Sequence, residues 1–127
     1  MINPVKMAGR AMLATVFIGG GLNQLKGSAE LGPVVDSAKE EYGIDVDVPG
    51  ETLVKLNGAG MVAAGTALAL GILPRVSAVS LVGLLVPTTI VGHPFWKETE
   101  AEKKQAQMTS FASNTAVAGG LLMVVAG

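Results

Sequence analysis

Four long stretches without a charged residue constrain the fold of this chain more than any other feature. They cover residues 11–25, 56–74, 76–92 and 105–127. Each is close to the roughly 20 residues that a helix needs to cross the hydrocarbon core of a bilayer. A soluble bundle of buried helices is the alternative, but soluble helices carry a polar stripe along one side. These stretches lack one, so the sequence predicts four membrane-spanning helices.

The composition agrees, since 15% of the residues are charged where soluble proteins average about 25%. We predict an all-α fold, a transmembrane four-helix bundle in which successive helices run up, down, up and down. Its 127 residues are expected to form a single domain, residues 1–127, with spans at about 4–25, 52–73, 75–92 and 106–126.

The first loop, residues 26–53, is acidic, with two lysines against seven carboxylates. Pro33 is predicted to open a short amphipathic helix within it. Such a helix would lie on the membrane surface or across the mouth of the bundle. Its predicted apolar face is formed by Leu31, Val35, Ala38 and Tyr42.

Two further patterns give local predictions. Thr99 and Glu102 have the spacing of a capping box, which predicts that the last helix starts at Thr99. Small residues four apart are expected to face neighbouring helices, because they let backbones approach closely. Three such stripes are present: Ala11, Thr15, Gly19 and Asn23; Ala59, Ala63, Ala67 and Gly71; and Ala112, Ala116 and Gly120.

The residue inventory excludes several classes of chemistry. The chain has no Cys, one His and a net charge of −1. Thiolate catalysis and cysteine-held clusters are therefore excluded, as are bis-histidine haem ligation and a histidine metal site. No extended basic run supports nucleic-acid binding. We predict no catalytic residue and no metal ligand.

Polar side chains converge at one end of the predicted bundle, where the first and third spans end and the second and fourth begin. Under the loops they could form a shallow pocket for a quinone or lipid head group, or they could hydrogen-bond one helix to another. Gln24 lies at this end as well, and the opposite end offers little beyond Arg10, Arg75, Ser77 and Ser80. The candidate pocket residues are Asn23, Lys26, Lys55, Asn57, Thr88, Thr89, His93 and Asn114.

His93 is the only histidine, and it precedes Pro94 at a predicted helix end. A proline disfavours helical conformation in the residue before it. A histidine at such a position is more often a cap or a surface group than a ligand, so we place His93 at the rim of the candidate pocket.

The chain resembles the DoxX family of small four-span bacterial membrane proteins, particularly its actinobacterial members, over nearly its whole length. The most specific block is Pro87-Thr88-Thr89 followed by Gly92-His93-Pro94-Phe95-Trp96. One position departs from the expected pattern, since Ser113 stands where a Lys is expected before Asn114. The other blocks are Phe17-Ile18-Gly19-Gly20-Gly21 with Leu25-Lys26, Gly58-Ala59-Gly60 with Leu68-Ala69-Leu70-Gly71 and Pro74-Arg75, and Phe111, Asn114 and Gly119-Gly120-Leu121-Leu122.

The resemblance supports four spans and implies a function only by analogy. The family is named for similarity to the small membrane subunit of a thiosulfate:quinone oxidoreductase, and relatives are linked to membrane complexes that handle oxidative and thiol stress. It implies a non-catalytic membrane subunit or anchor of such a complex. A quinone-interacting oxidoreductase subunit, drawing electrons from a partner, and a membrane-protein assembly factor are the alternatives.

These hypotheses share a setting in the bacterial plasma membrane. A quinone is the one cofactor that they suggest, and redox partner proteins or a second copy of the chain are the expected partners besides the lipid bilayer. Lys6 and Arg75 lie on the side of the termini and the short turn, without acids nearby. The larger loops hold more lysines, so the positive-inside signal is mixed, and we favour both termini in the cytoplasm.

Overall fold

Five helices make up the part of the protein that a computed structural model describes, residues 3–92 and 99–127. They are α1 (Pro4–Lys26), α2 (Ser28–Glu41), α3 (Gly50–Leu70), α4 (Pro74–Gly92) and α5 (Ala101–Ala126). No strand occurs within these two ranges. The predicted all-α fold class is confirmed.

Four of these helices, α1, α3, α4 and α5, are long and apolar enough to cross a membrane. α1 and α3 run antiparallel, because Gly21 meets Gly58 while Ala14 and Phe17 lie against Gly65. α4 and α5 run antiparallel too, because Asn114 meets Thr89 while Gly127 lies near Arg75. One end of the bundle, which we call the loop end, holds α2 and the start of α3. The other, the turn end, holds the α3–α4 turn and the starts of α1 and α4.

The helices form an incompletely closed ring. α1 packs mainly on α3, α3 also contacts α2 and α4, and α4 contacts α5, whereas α1 and α5 hardly touch. The core contains one fully buried large side chain from each spanning helix: Phe17, Leu68, Leu81 and Leu121. α5 is the least embedded of the four, since Leu121 is its only buried residue.

The contact between α1 and α3 depends on glycine. A Cβ added at Gly21 would lie 2.6 Å from the carbonyl oxygen of Gly58, and one added at Gly58 would lie 2.8 Å from the carbonyl oxygen of Gly21. The two backbones therefore touch directly, as small residues permit in membrane helix pairs. By contrast, a Cβ at Gly19 would meet nothing within 4 Å.

This packing corrects the stripe prediction. All four members of the α1 stripe are exposed, and so are Ala59, Ala63 and Gly71 of the α3 stripe. The packed face of α1 is instead formed by Ala14, Phe17 and Gly21. Sequence spacing identified small residues on each helix but not which side of the helix faces its neighbour. On α5, Ala112 and Ala116 are exposed, and Gly120 lies near Leu13 of α1.

α2 starts five residues before Pro33, where the sequence predicted the helix to open. The proline lies inside the helix, where it removes one backbone hydrogen bond and its ring crowds the carbonyl four residues earlier. The predicted apolar face is also partly wrong. Ala38 is buried, but Leu31 and Tyr42 are 39% and 41% exposed. The buried face includes Ser28 and Gly32 because α2 packs closely on the start of α3.

The bounds of α3 and α5 differ from expectation at one end each. α3 ends at Leu70, three residues early, because Gly71 adopts a left-handed φ of 74° and its N–H bonds to the Leu68 carbonyl. The N–H of Ile72 also bonds to Ala67, which completes a Schellman cap. At α5 the predicted capping box is wrong. Glu100 is the N-cap and makes no capping side-chain bond, so Thr99 lies one residue too early to cap.

Candidate functional site

Three polar side chains from three helices meet at the loop end. Asn57 of α3 donates through Nδ2 to Oε1 of Gln24 on α1, at 2.8 Å, and to Oγ1 of Thr88 on α4, at 2.9 Å. The Nε2 group of Gln24 donates to the same threonine oxygen at 3.3 Å. All three residues are partly buried. We call this group the amide triad.

The triad is closed by the helix backbone. Oγ1 of Thr88 donates to the carbonyl oxygen of Leu84, 2.9 Å away. The threonine oxygen thus uses its proton on the backbone and accepts two amide hydrogens, while Asn57 uses both of its N–H groups on neighbours. These bonds link α1, α3 and α4 at one level of the membrane.

A second polar contact joins α4 to α5. Nδ2 of Asn114 donates to Oγ1 of Thr89 at 3.0 Å, and Thr89 donates to the carbonyl oxygen of Leu85 at 2.8 Å. Thr89 is buried, with 8% of its surface exposed. Together with the triad, this pair places a hydrogen bond between every adjacent pair of spanning helices except α1 and α5.

The structure therefore places four of the eight candidate residues in two separate interhelical contacts, Asn57 with Thr88 and Thr89 with Asn114. Asn23 lies on the exposed side of α1, and Lys26 is exposed at the end of that helix. Lys55 is exposed and pairs with Glu51 at 3.4 Å on the same helix. His93 lies outside the described residues.

Gln24 takes the place in the cluster that we expected for Asn23. The signal was present in the sequence, because Gln24 lies three residues after Gly21 and seven after Phe17. Those spacings place the three residues on one face of a helix. The one-residue difference moves the amide from the outer surface of α1 to its contact with α3.

A separate polar group fixes the first loop against the bundle. Asp36 of α2 accepts a hydrogen bond from the backbone N–H of Gly50 at 2.9 Å and pairs with Lys39 at 3.1 Å. The hydrogen bond from Lys39, aided by that from Gly50, holds the pKa of the Asp36 carboxyl below its usual value, against a smaller opposing effect of desolvation. Lys39 also donates to the Val48 carbonyl oxygen at 2.6 Å.

The chemistry available in the amide triad is limited to neutral hydrogen bonding. Amides and hydroxyls can hold a carbonyl or a phosphate oxygen, but they carry no charge and do not titrate near neutral pH. Within the described ranges, no group of three or more His, Cys, Asp or Glu side chains could hold a metal ion.

Comparison with known proteins gives one finding. The sequence profile of the DoxX family matches residues 5–94, a range that includes α1 to α4 and both threonines of the polar contacts. No curated protein and no solved structure matches the chain. Because the family match covers more than half of its length, this multi-pass membrane protein belongs to the DoxX family.

Proposed function

We propose that this chain is a non-catalytic membrane subunit that anchors or organises a redox or oxidative-stress complex in the bacterial plasma membrane. The redox part rests on membership of the DoxX family. A subunit without Cys and with a single His would leave electron transfer to its partners. The closer affiliation with actinobacterial members is part of the same proposal and rests on the block from Pro87 to Trp96.

The observation that carries the proposal is the exposure of α5. This helix has 26 residues but buries only Leu121, whereas α4 buries five residues. Ala112, Ala116 and Gly119 are exposed on α5, and their small size would let a partner helix approach closely. The outer side of α5 is therefore the surface that we assign to a partner subunit. Self-association through the same surface is a competing use.

We further propose that both termini lie in the cytoplasm. Lys6, Arg10 and Arg75 all belong to the turn end, and the stretches that meet there contain no Asp or Glu. Positive residues close to the spans favour the cytoplasmic side. Six lysines lie in or beside the two larger loops, and by the same rule they oppose this orientation. A topology reporter fused after Gly127 tests which side the termini occupy.

Ala116→Trp should separate partner binding from folding. A bulky ring on the outer side of α5 would block a partner helix without entering the bundle, because Ala116 is exposed. In a strain that lacks the native protein, we expect this variant to restore less than a tenth of the wild-type survival under thiol oxidant. It should also lose the proteins that co-purify with the wild type.

Val79→Trp is the matched control, since Val79 is 56% exposed on α4. It should restore survival and retain the co-purified proteins. Equal complementation by both variants would contradict the role of α5. If Ala116→Trp instead changed only the mass of the purified protein from a dimer to a monomer, the surface would serve self-association.

A second candidate function is a quinone-interacting oxidoreductase subunit, and the amide triad is the observation that favours it. A quinone carbonyl, or a lipid head group, could accept an amide hydrogen from Gln24 or Asn57. A ligand on Asn57 would have to displace a bond within the triad, because both N–H groups of Asn57 are used, whereas Gln24 gives Thr88 one of its two amide hydrogens. The third candidate, a membrane-protein assembly factor, would also use the α5 surface. Unlike an anchoring subunit, it would be absent from the mature complex.

Asn57→Leu tests the second candidate. Loss of two interhelical hydrogen bonds should lower the free energy of unfolding by about 1–2 kcal/mol, given roughly 0.6–1.7 kcal/mol for one such bond in a membrane protein. Thr66→Val, on an exposed part of α3, is the control. If the triad only joins helices, calorimetric titration with a short-chain quinone will not distinguish the two variants. A tenfold or greater loss of quinone binding in Asn57→Leu alone would establish the quinone-binding role.

A further inference from the structure

The turn end holds a cavity that the sequence did not predict. It has a volume of about 820 Å³ and lies between α1 and α5, where the ring of helices is incompletely closed. Its volume is in the range of small-molecule sites in proteins, roughly 300–1,000 Å³. It lies toward the opposite end of the bundle from the amide triad, because it is lined by the first half of α1, the start of α4 and the last turns of α5.

Three cations surround one part of this cavity, and no Asp or Glu is among its described lining residues. Lys6 and Arg10 come from α1 and Arg75 comes from the first turn of α4. The side chains of Met12, Leu13, Val16, Met123 and Val124 line the remainder, so its wall is predominantly apolar. A ligand that matches this surface carries a negative head and an apolar body.

Arg10 lines the cavity with a guanidinium whose hydrogen bonding is incomplete. Its Nε atom is buried and has no hydrogen-bond partner among the described residues. The guanidinium also lies beside Gly71, at the end of α3, with Nη2 3.5 Å from the position of a Cβ on that residue. A buried guanidinium N–H without a partner is costly, and arginine recognises phosphate and carboxylate oxygens through paired N–H donors.

The other two cations both lie close to Gly127. Nζ of Lys6 donates to the carbonyl oxygen of Gly127 at 3.0 Å. Arg75 lies close to the same residue, with Nη2 2.7 Å from where a Cβ would stand on Gly127. Even a full carboxylate charge on Gly127 would leave three cations incompletely neutralised. The cluster therefore retains a positive potential at the level of the phospholipid head groups.

We propose that this cavity binds an anionic phospholipid. Its phosphate would lie among Lys6, Arg10 and Arg75, and an acyl chain would follow the apolar wall between α1 and α5 into the bilayer. Because α1 and α5 make little contact, the acyl chain has a lateral path into the membrane. The inference is independent of the proposed redox function, because it concerns the opposite end of the bundle.

The competing explanation is that these cations only anchor the bundle to the membrane surface by long-range attraction to anionic lipids. That attraction depends on the number of positive charges near the surface and not on a cavity. Two double variants, one at each end of the bundle and each removing two positive charges, distinguish the two explanations.

The test is native mass spectrometry of the full chain, delipidated in detergent and titrated with dioleoyl phosphatidylglycerol. Wild-type protein should bind one molecule at least tenfold more tightly than dioleoyl phosphatidylcholine. The double variant R10Q/R75Q should lose this preference. The matched variant K103Q/K104Q, which removes two charges from the first turn of α5 at the loop end, should keep it. Equal losses in both variants would overturn the proposal in favour of surface attraction.

Two further arms keep the test informative. Inorganic phosphate at millimolar concentration should not compete with the lipid; full competition would mean that the cluster binds free phosphate, which would overturn the lipid assignment. If R10Q/R75Q fails to fold, Val16→Trp fills the apolar wall while retaining all three cations. It should lower phosphatidylglycerol binding at least tenfold, and unchanged binding would overturn the proposal.

Discussion

Gly21→Ala should lower the free energy of unfolding by about 1–3 kcal/mol, the usual cost of forcing an extra methyl group into a close contact. The added Cβ would stand 2.6 Å from the Gly58 carbonyl oxygen and 2.8 Å from Cγ2 of Val62. The first neighbour is backbone, so α1 and α3 must separate to accommodate the methyl group. Equilibrium unfolding in mixed micelles of a mild detergent and sodium dodecyl sulfate measures the change.

Gly19→Ala is the matched control, two residues away on the same helix. A Cβ there meets nothing within 4 Å, and alanine is favoured over glycine inside a helix by roughly 0.5–1 kcal/mol. The control should therefore be neutral or slightly more stable than the wild type. If Gly21→Ala and Gly19→Ala gave the same stability, the close crossing of α1 and α3 would be wrong. Gly58→Ala should reproduce the loss, and the double variant should cost less than the sum.

Phe17→Ala should destabilise the bundle by about 2 kcal/mol. Phe17 has no exposed surface and packs in the core with Leu68, Leu81 and Leu121. Removing the ring leaves a cavity of roughly 100 Å³, at roughly 24 cal/mol per Å³. The transfer contribution that raises this cost in soluble proteins is small here, because lipid chains are as apolar as the core.

Leu22→Ala is the control for the phenylalanine variant. Leu22 lies on the same helix with 43% of its surface exposed, so its truncation should change the free energy of unfolding by less than about 0.5 kcal/mol. The same unfolding assay applies to both. A loss at Leu22 equal to that at Phe17 would mean that α1 presents a different face to the bundle from the one described.

The architecture could be predicted because it follows from one property, the length of the uncharged stretches. A bilayer-spanning segment must satisfy its backbone internally, so such a stretch has few alternatives to a helix. The antiparallel order followed from the short Leu73-Pro74 connection. The faces of the helices could not be predicted in the same way. In a membrane, both the lipid-facing and the packed sides are apolar, so a stripe of Ala and Gly does not indicate which side is buried.

The candidate site could likewise be predicted in part: its end of the bundle followed from the sequence, but the contacts of its residues did not. Thr88 and Thr89, neighbours in sequence, make separate contacts because one faces α1 and α3 and the other faces α5. Polarity alone located both residues at the loop end. It also selected Asn23, which the geometry of α1 directs outward, and passed over Gln24 as a pocket residue. The cationic cavity was not predicted because Lys6, Arg10 and Arg75 come from two helices, and Lys6 and Arg75 were used only to orient the chain in the membrane.

The polar residues at the two ends of the bundle have different roles. At the loop end, the amide triad and the Thr89–Asn114 pair connect adjacent helices, and Asp36 attaches α2 to the start of α3. At the turn end, three cations and an apolar wall surround open space. The outer side of α5 is a third surface, exposed along most of its length. The proposed function assigns partner binding to that surface and electron transfer to the partner proteins.

The most direct test of that assignment is the rate of quinone-dependent electron transfer in two preparations of the same protein. One is purified from its native membranes in mild detergent with partners retained, and the other is stripped of partners in a harsher detergent and returned to lipid. A non-catalytic subunit predicts that the rate follows the amount of partner protein and falls to background in the stripped preparation. Sustained quinone turnover by the isolated chain would contradict the account.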